Sequence, residues 1–149
     1  MTNANTNLAA RWAGFAPYFH SLLRIVAGLM FMLAGTMKVF AFPTGTPMPI
    51  KLASQIGVGG ILEAICGALL LVGLLTRPAA FLMAGQMAVA YFQFHAPKGF
   101  WPVMNGGVTA ALYCFIWLYM SAAGAGPLSL DAWLKRRKRV AAPAMAGAA

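Results

Sequence analysis

The sequence predicts an all-α membrane protein, a four-transmembrane-helix bundle, and three observations carry that expectation. First, 61% of the 149 side chains are hydrophobic and 9% are charged, against roughly 45–50% and about 25% in an ordinary globular chain. Second, the apolar residues fall into four runs, each near the ~20 residues that cover ~30 Å of hydrocarbon at ~1.5 Å per residue. Third, five of the eleven basic residues stand together in "LKRRKR", directly after the last run. That placement suits an anchor on anionic headgroups, not an extended nucleic-acid face, and no nucleic-acid partner is expected.

In chain order, residues 1–18 are polar and then aromatic, which suits a segment lying along the bilayer interface. A charged n-region does not run at once into an apolar core there, so no cleaved leader is expected. The first span is placed at 19–42. "FPTGTPMPIK" follows, too rich in proline to continue a helix. The second span is placed at 53–75 and the third at 78–96. "TRP" separates them so tightly that they must form an antiparallel hairpin. "APKGFWPVMN" then leads to the fourth span, 105–123, with Phe100 and Trp101 at the interface. Next comes "GAGPLSLDAWLKRRKR", a Gly/Pro break and a short amphipathic helix with Ser129 as cap and Asp131 in its first turn. The transmembrane domain is accordingly drawn at 19–134 and the tail at 135–149. In that tail Lys135, Arg136, Arg137, Lys138 and Arg139 meet anionic lipid. With both termini cytoplasmic, Arg11, Arg24, Arg77 and the tail lie inside, and only Lys38, Lys51 and Lys98 lie outside.

The chain has two acidic residues, Glu63 and Asp131. Glu63 stands inside an apolar span, on one helix face with Gly59, Cys66, Gly67 and Leu70. Small residues admit a neighbouring helix, so that face points into the bundle. The first span answers with a stripe of Arg24, Gly28, Phe31, Gly35, Lys38 and Phe42. Arg24 and Lys38 are roughly 21 Å apart along the axis. Lys38 is the expected partner of Glu63, whereas Arg24 can snorkel to headgroups. On the third span Tyr91 and His95 share one face and Gln86 and Gln93 another, and Asn105 opens the fourth. Lys38, Glu63, Tyr91, His95 and Asn105 form the candidate buried polar pocket, with Arg24, Arg77 and Gln86 as secondary candidates. Cys66 and Cys114 read as small buried residues without CxxC spacing. His20 and His95 lack a carboxylate at ligand spacing, so no metal is expected. A phosphate-cradling Gly-rich loop between strand and helix is missing too, and the hydrolytic triads lack their parts. Electron chemistry therefore needs a bound cofactor such as a quinone, or a partner subunit.

"RIVAGLMFMLAGTMKVF", "GVGGILEAICGALLLVGLLTRPAAFLMA", "AYFQFHAP" and "GAGPLSLD" together resemble the DoxX family of small bacterial membrane proteins. The matching features fall in order: Gly35-x-x-Lys38, then Glu63 with Gly67, the turn Gly73 to Arg77, His95, Asn105, and Gly124-x-Gly126-x-x-Ser129-x-Asp131. Relatives often carry a glutamate soon after the Asn-Gly-Gly; here Val108 stands in that segment. The resemblance implies a four-helix bacterial inner-membrane protein serving as a redox-linked, non-autonomous subunit of a quinone-linked oxidoreductase, with partner subunits. His95 and Lys38 would then polarise a quinone carbonyl, Glu63 would hold Lys38 or relay a proton, and Tyr91 would line the pocket. Two other classes stay open: a non-enzymatic assembly or scaffold protein, and a small-solute or proton pathway extended by Arg24 and Gln86.

Overall fold

A computed structural model describes residues 3–45 and 50–146, and all of its regular elements are helical. Helices α1 (Asn3–Ala13) and α2 (Ala16–Phe40) are parted by Gly14 and Phe15. Pro17 lies in the first turn of α2, where its missing N–H leaves no bond unmade. Helix α3 (Gln55–Val72) opens on Ser54, whose Oγ accepts the Gly57 N–H at 3.2 Å. It closes at Gly73 (φ 71°), which lets Leu74 N–H turn back to Leu69 O at 2.9 Å. Helix α4 (Thr76–Ala90) passes into a π turn (Tyr91–His95) and a 3-10 turn (Ala96–Lys98). After these come α5 (Pro102–Asn105), α6 (Val108–Ala123) and α7 (Leu130–Ala146).

Among the described residues, two helices are long and apolar enough to cross a bilayer, one containing α2 and the other α3. The 15-residue α4 and 16-residue α6 cover only ~22–24 Å. Their expected runs are cut short locally: α4 loses its register at Tyr91, and Asn105 ends α5 instead of opening α6. Gly106, at φ 73°, makes the break between α5 and α6. The proposed divisions at 18/19 and 134/135 fall inside α2 and α7, both continuous there. The Pro-rich loop is described on both sides of residues 46–49; those four lie outside the described residues.

Helix α2 packs chiefly on α3, and α4 on α6, while the seam joining the halves, α3 on α4, is smaller. Four glycines set the α2–α3 contact. A Cβ on Gly28 would stand 2.6 Å from Leu71 N, and one on Gly60 2.9 Å from Lys38 Cβ. Cβ atoms on Gly35 and Gly67 would run into the backbones of Ala64 and Met32. Backbone therefore lies on backbone at Gly28, Gly35 and Gly67, while Gly60 makes room for the Lys38 side chain, as small residues allow where no hydrophobic force drives helices together. Leu70, Met83, Trp117 and Met120 fill the centre, with Phe31 edge-on to Trp117 at 5.4 Å. Phe81, Phe92, Leu112 and Phe115 face outward while Arg24 and Glu63 are buried, the reverse of a water-soluble protein.

Candidate functional site

Lys38 and Glu63 meet as expected. Lys38 Nζ donates to both carboxylate oxygens of Glu63, at 2.8 Å to Oε1 and 2.5 Å to Oε2. Gly35 and Gly60 bring the two helices close enough for the stem of Lys38 to cross the gap. Gln86 of α4 joins them, donating through Nε2 to Glu63 Oε1 and to Gly59 O, both at 3.1 Å. Its own Oε1 is buried without a partner among the described residues, a state costing about 1–3 kcal/mol unless something donates to it.

The π turn decides where His95 stands. Its i→i+5 bond, Ala96 N–H to Tyr91 O, widens the helix by one residue, and such turns recur at functional sites. His95 reaches the cavities beside Lys38 and Glu63, whereas Tyr91 lines a third cavity on the far side of the α4–α6 contact. His95 Nδ1 lies 3.3 Å from the Asn105 carbonyl. A carbonyl only accepts, so this contact takes its proton from Nδ1, and in that tautomer Nε2 is the acceptor.

Tyr91 and Asn105, expected in the pocket, instead clasp the loop between the π turn and α6. Asn105 Nδ2 donates to Gly99 O at 2.6 Å, its Oδ1 accepts Gly107 N–H at 2.7 Å, and Tyr91 Oη donates to Phe100 O. They hold His95 in place without touching the ion pair.

Two cavities flank that pair. One, of about 210 Å³, opens between α3 and α4 and is lined by Gln55, Gly59, Gln86, Phe94 and His95. The other, of about 390 Å³, opens between α2 and α6 and is lined by Met30, Phe31, Met87, Thr109 and Tyr113. Lys38, Glu63, Ala90 and His95 belong to both, so they form a partition between opposite faces of the bundle. Gln55, Thr109 and Tyr113 were not singled out from sequence. Gln55 alone had a signal, lying two turns before Glu63 on the same face.

Arg24 corrects an expectation. It does not snorkel: it is fully buried at the opposite end of α2. Nε donates to Ala125 O at 2.9 Å, Nη1 to Leu70 O and Leu71 O, and Nη2 to Leu128 O at 2.5 Å. A guanidinium thus satisfies the last carbonyls of α3, where the helix dipole favours a cation. It also ties down the glycine-rich segment before α7. Asp131 closes the same end, its Oδ1 and Oδ2 accepting Leu75 N–H and Thr76 N–H, each at 3.0 Å. Ser129 caps α7 by accepting Ala132 N–H at 3.1 Å. Arg77, also distant from the ion pair, is exposed and lies over Gly124.

The family model of DoxX matches residues 19–96, which hold Lys38, Glu63, Gln86 and His95. The chain belongs to the DoxX family. Among curated proteins, it is 42% identical over 129 residues to an uncharacterized protein of Haemophilus influenzae, covering 78% of this chain and 91% of that one. It is 28% identical over 135 residues to an uncharacterized membrane protein of Mycobacterium tuberculosis, covering 77% and 80% respectively. No solved structure matches. The chain is a DoxX membrane protein, and its buried ion pair lies within the matched segment.

Proposed function

We propose that this DoxX protein spans the inner membrane four times, with both termini cytoplasmic, as a redox-linked subunit of a membrane oxidoreductase whose Lys38–Glu63–His95 partition contacts a quinone. The observation that carries the reading is the partition itself. A cation, a carboxylate and a histidine border accessible space inside an apolar bundle, where ionisable groups are costly and mark function. The residues fit a quinone headgroup. In the larger cavity Phe31, Tyr113 and Met87 offer flat and polarizable walls, Lys38 Nζ is a donor for a ring carbonyl, and His95 borders the same space to accept from a ring hydroxyl. When bound, the quinone supplies the two-electron chemistry that these side chains lack. Lys38 orients the carbonyl, Glu63 holds Lys38 Nζ in place through both of its oxygens, and His95 exchanges a proton at Nε2.

The short α4 and α6 reach across the bilayer in this reading by borrowing the π turn, α5 and their flanking loops, where Tyr91 and Asn105 satisfy the main-chain groups of Phe100, Gly99 and Gly107 from within the chain. The test is binding of a short-chain quinone to the purified protein, alone and with its co-purifying partners. Lys38→Ala, Glu63→Ala and His95→Ala should each weaken binding at least tenfold. Unchanged binding in all three, at normal expression, would leave the ion pair as a scaffold device that only fixes helix packing.

A further inference from the structure

At the end of the bundle opposite the ion pair, we propose a second site, one that holds the phosphate of an anionic phospholipid between Arg77 and Lys135. A cavity of about 190 Å³ opens there, lined by Arg77 at the start of α4, by the backbone of Gly124 to Gly126, and by Ser129, Asp131 and Lys135. Among the described residues no carboxylate comes within 4 Å of its two cations. The chain has only two acids, and the one ion pair within 4 Å among the described residues joins Lys38 to Glu63. Asp131, although it borders the cavity, is turned to α4 by its two backbone N–H donors. Ser129 is engaged on both sides, donating to Gly126 O at 2.7 Å and accepting Ala132 N–H. Arg77 and Lys135 are left as the groups able to bind something from outside. The guanidinium is also placed, because Gly124 has no side chain: a Cβ there would come 3.3 Å from Arg77 Nε. A guanidinium beside an ammonium suits a phosphate.

The apolar surface beside the cavity points to a lipid and not a free anion. Leu130, Trp133 and Leu134 form one exposed apolar stripe on α7, at i, i+3 and i+4, and Leu128 is exposed just before it. A helix with that stripe rests on the bilayer with its apolar side in the acyl boundary, and the Asp131–Lys135 side then stands at headgroup level. A phosphodiester in the cavity keeps its acyl chains beside Leu128 and Leu130. The site is distinct from generic attraction by the basic tail, since none of Arg136, Arg137, Lys138 or Arg139 lines the cavity.

Native mass spectrometry of the full-length protein in mild detergent, with phosphatidylglycerol and phosphatidylcholine added together, tests this. The expected result is one retained phosphatidylglycerol per chain, with the preference falling roughly fivefold in Lys135→Gln, roughly fivefold in Arg77→Gln, and further in the double variant. Arg136→Gln with Arg137→Gln should leave it near the original value. An equal loss in that control overturns the site in favour of diffuse tail electrostatics. A second arm adds inorganic phosphate without lipid: saturable binding at millimolar phosphate, abolished by Lys135→Gln, overturns the lipid and makes this a soluble-anion site. Lys135 is exposed on α7, so its variant keeps the test valid even where Arg77→Gln fails to fold.

Discussion

Helix α2 carries two basic residues on one face, and they stand in opposite kinds of surroundings. Arg24 is fully buried and its three donor nitrogens engage four backbone carbonyls, drawn from the end of α3 and the segment before α7. Lys38 meets one carboxylate, remains 25% exposed and borders two cavities. The first arrangement leaves no room beside the charge and joins three parts of the chain. The second leaves room on both sides. Burial of a cation therefore says little by itself about function; what matters is whether its partners are the immovable backbone or a side chain beside open space.

Substitution should separate the two regions in order of size. Arg24→Leu carries the largest expected effect, since it orphans carbonyls at about 1–3 kcal/mol each. The protein should fail to accumulate, or its thermal unfolding midpoint in detergent should fall by far more than for any change at Lys38. A midpoint near the original would mean that water reaches those carbonyls and that the comparison is overdrawn. Glu63→Ala comes next, leaving a charged Lys38 unpaired at a cost of about 3–5 kcal/mol. Glu63→Gln made together with Lys38→Met should recover most of that loss in the same unfolding assay while abolishing quinone binding. If binding survives in the double variant, the partition is architecture, like Arg24. Gly67→Ala should cost about 1–3 kcal/mol by forcing α3 away from Met32. The smallest stability change, within about 0.5–1 kcal/mol, belongs to His95→Gln. Its effect should appear in quinone affinity, measured by titration.

The sequence made the Lys38–Glu63 pair legible because depth and face both follow from counting along an ideal helix. The glycine contact was legible for the same reason: Gly28, Gly35 and Gly67 lie on the stripes that carry the charges. Arg24 was not, because its acceptors are main-chain oxygens from residues as far as 104 positions away, and every residue type has such an oxygen. Tyr91 and Asn105 were misplaced by a different cause. An ideal register puts Tyr91 and His95 on one face, and their rings do stack at 6.4 Å, but nothing in "YFQFH" announces the π turn, or that the Tyr91 hydroxyl is given to Phe100 O. Asn105 was assigned to a span by its apolar neighbours, although the following Gly-Gly is the signal that a helix ends there. The capping roles of Ser129 and Asp131 were half visible: Ser129 caps α7 as its position suggested, but the N–H groups served by Asp131 belong to α4.

The four glycines between α2 and α3 have a mechanical corollary. With main chain seated on main chain at Gly28, Gly35 and Gly67, that joint has few side chains to rearrange and is the stiffer one. Compliance is left to the thinner joint between α3 and α4, where the Gln55–Gln93 amide contact bridges the gap. A guest too large for the smaller cavity would thus be admitted by that joint parting like a book at its spine.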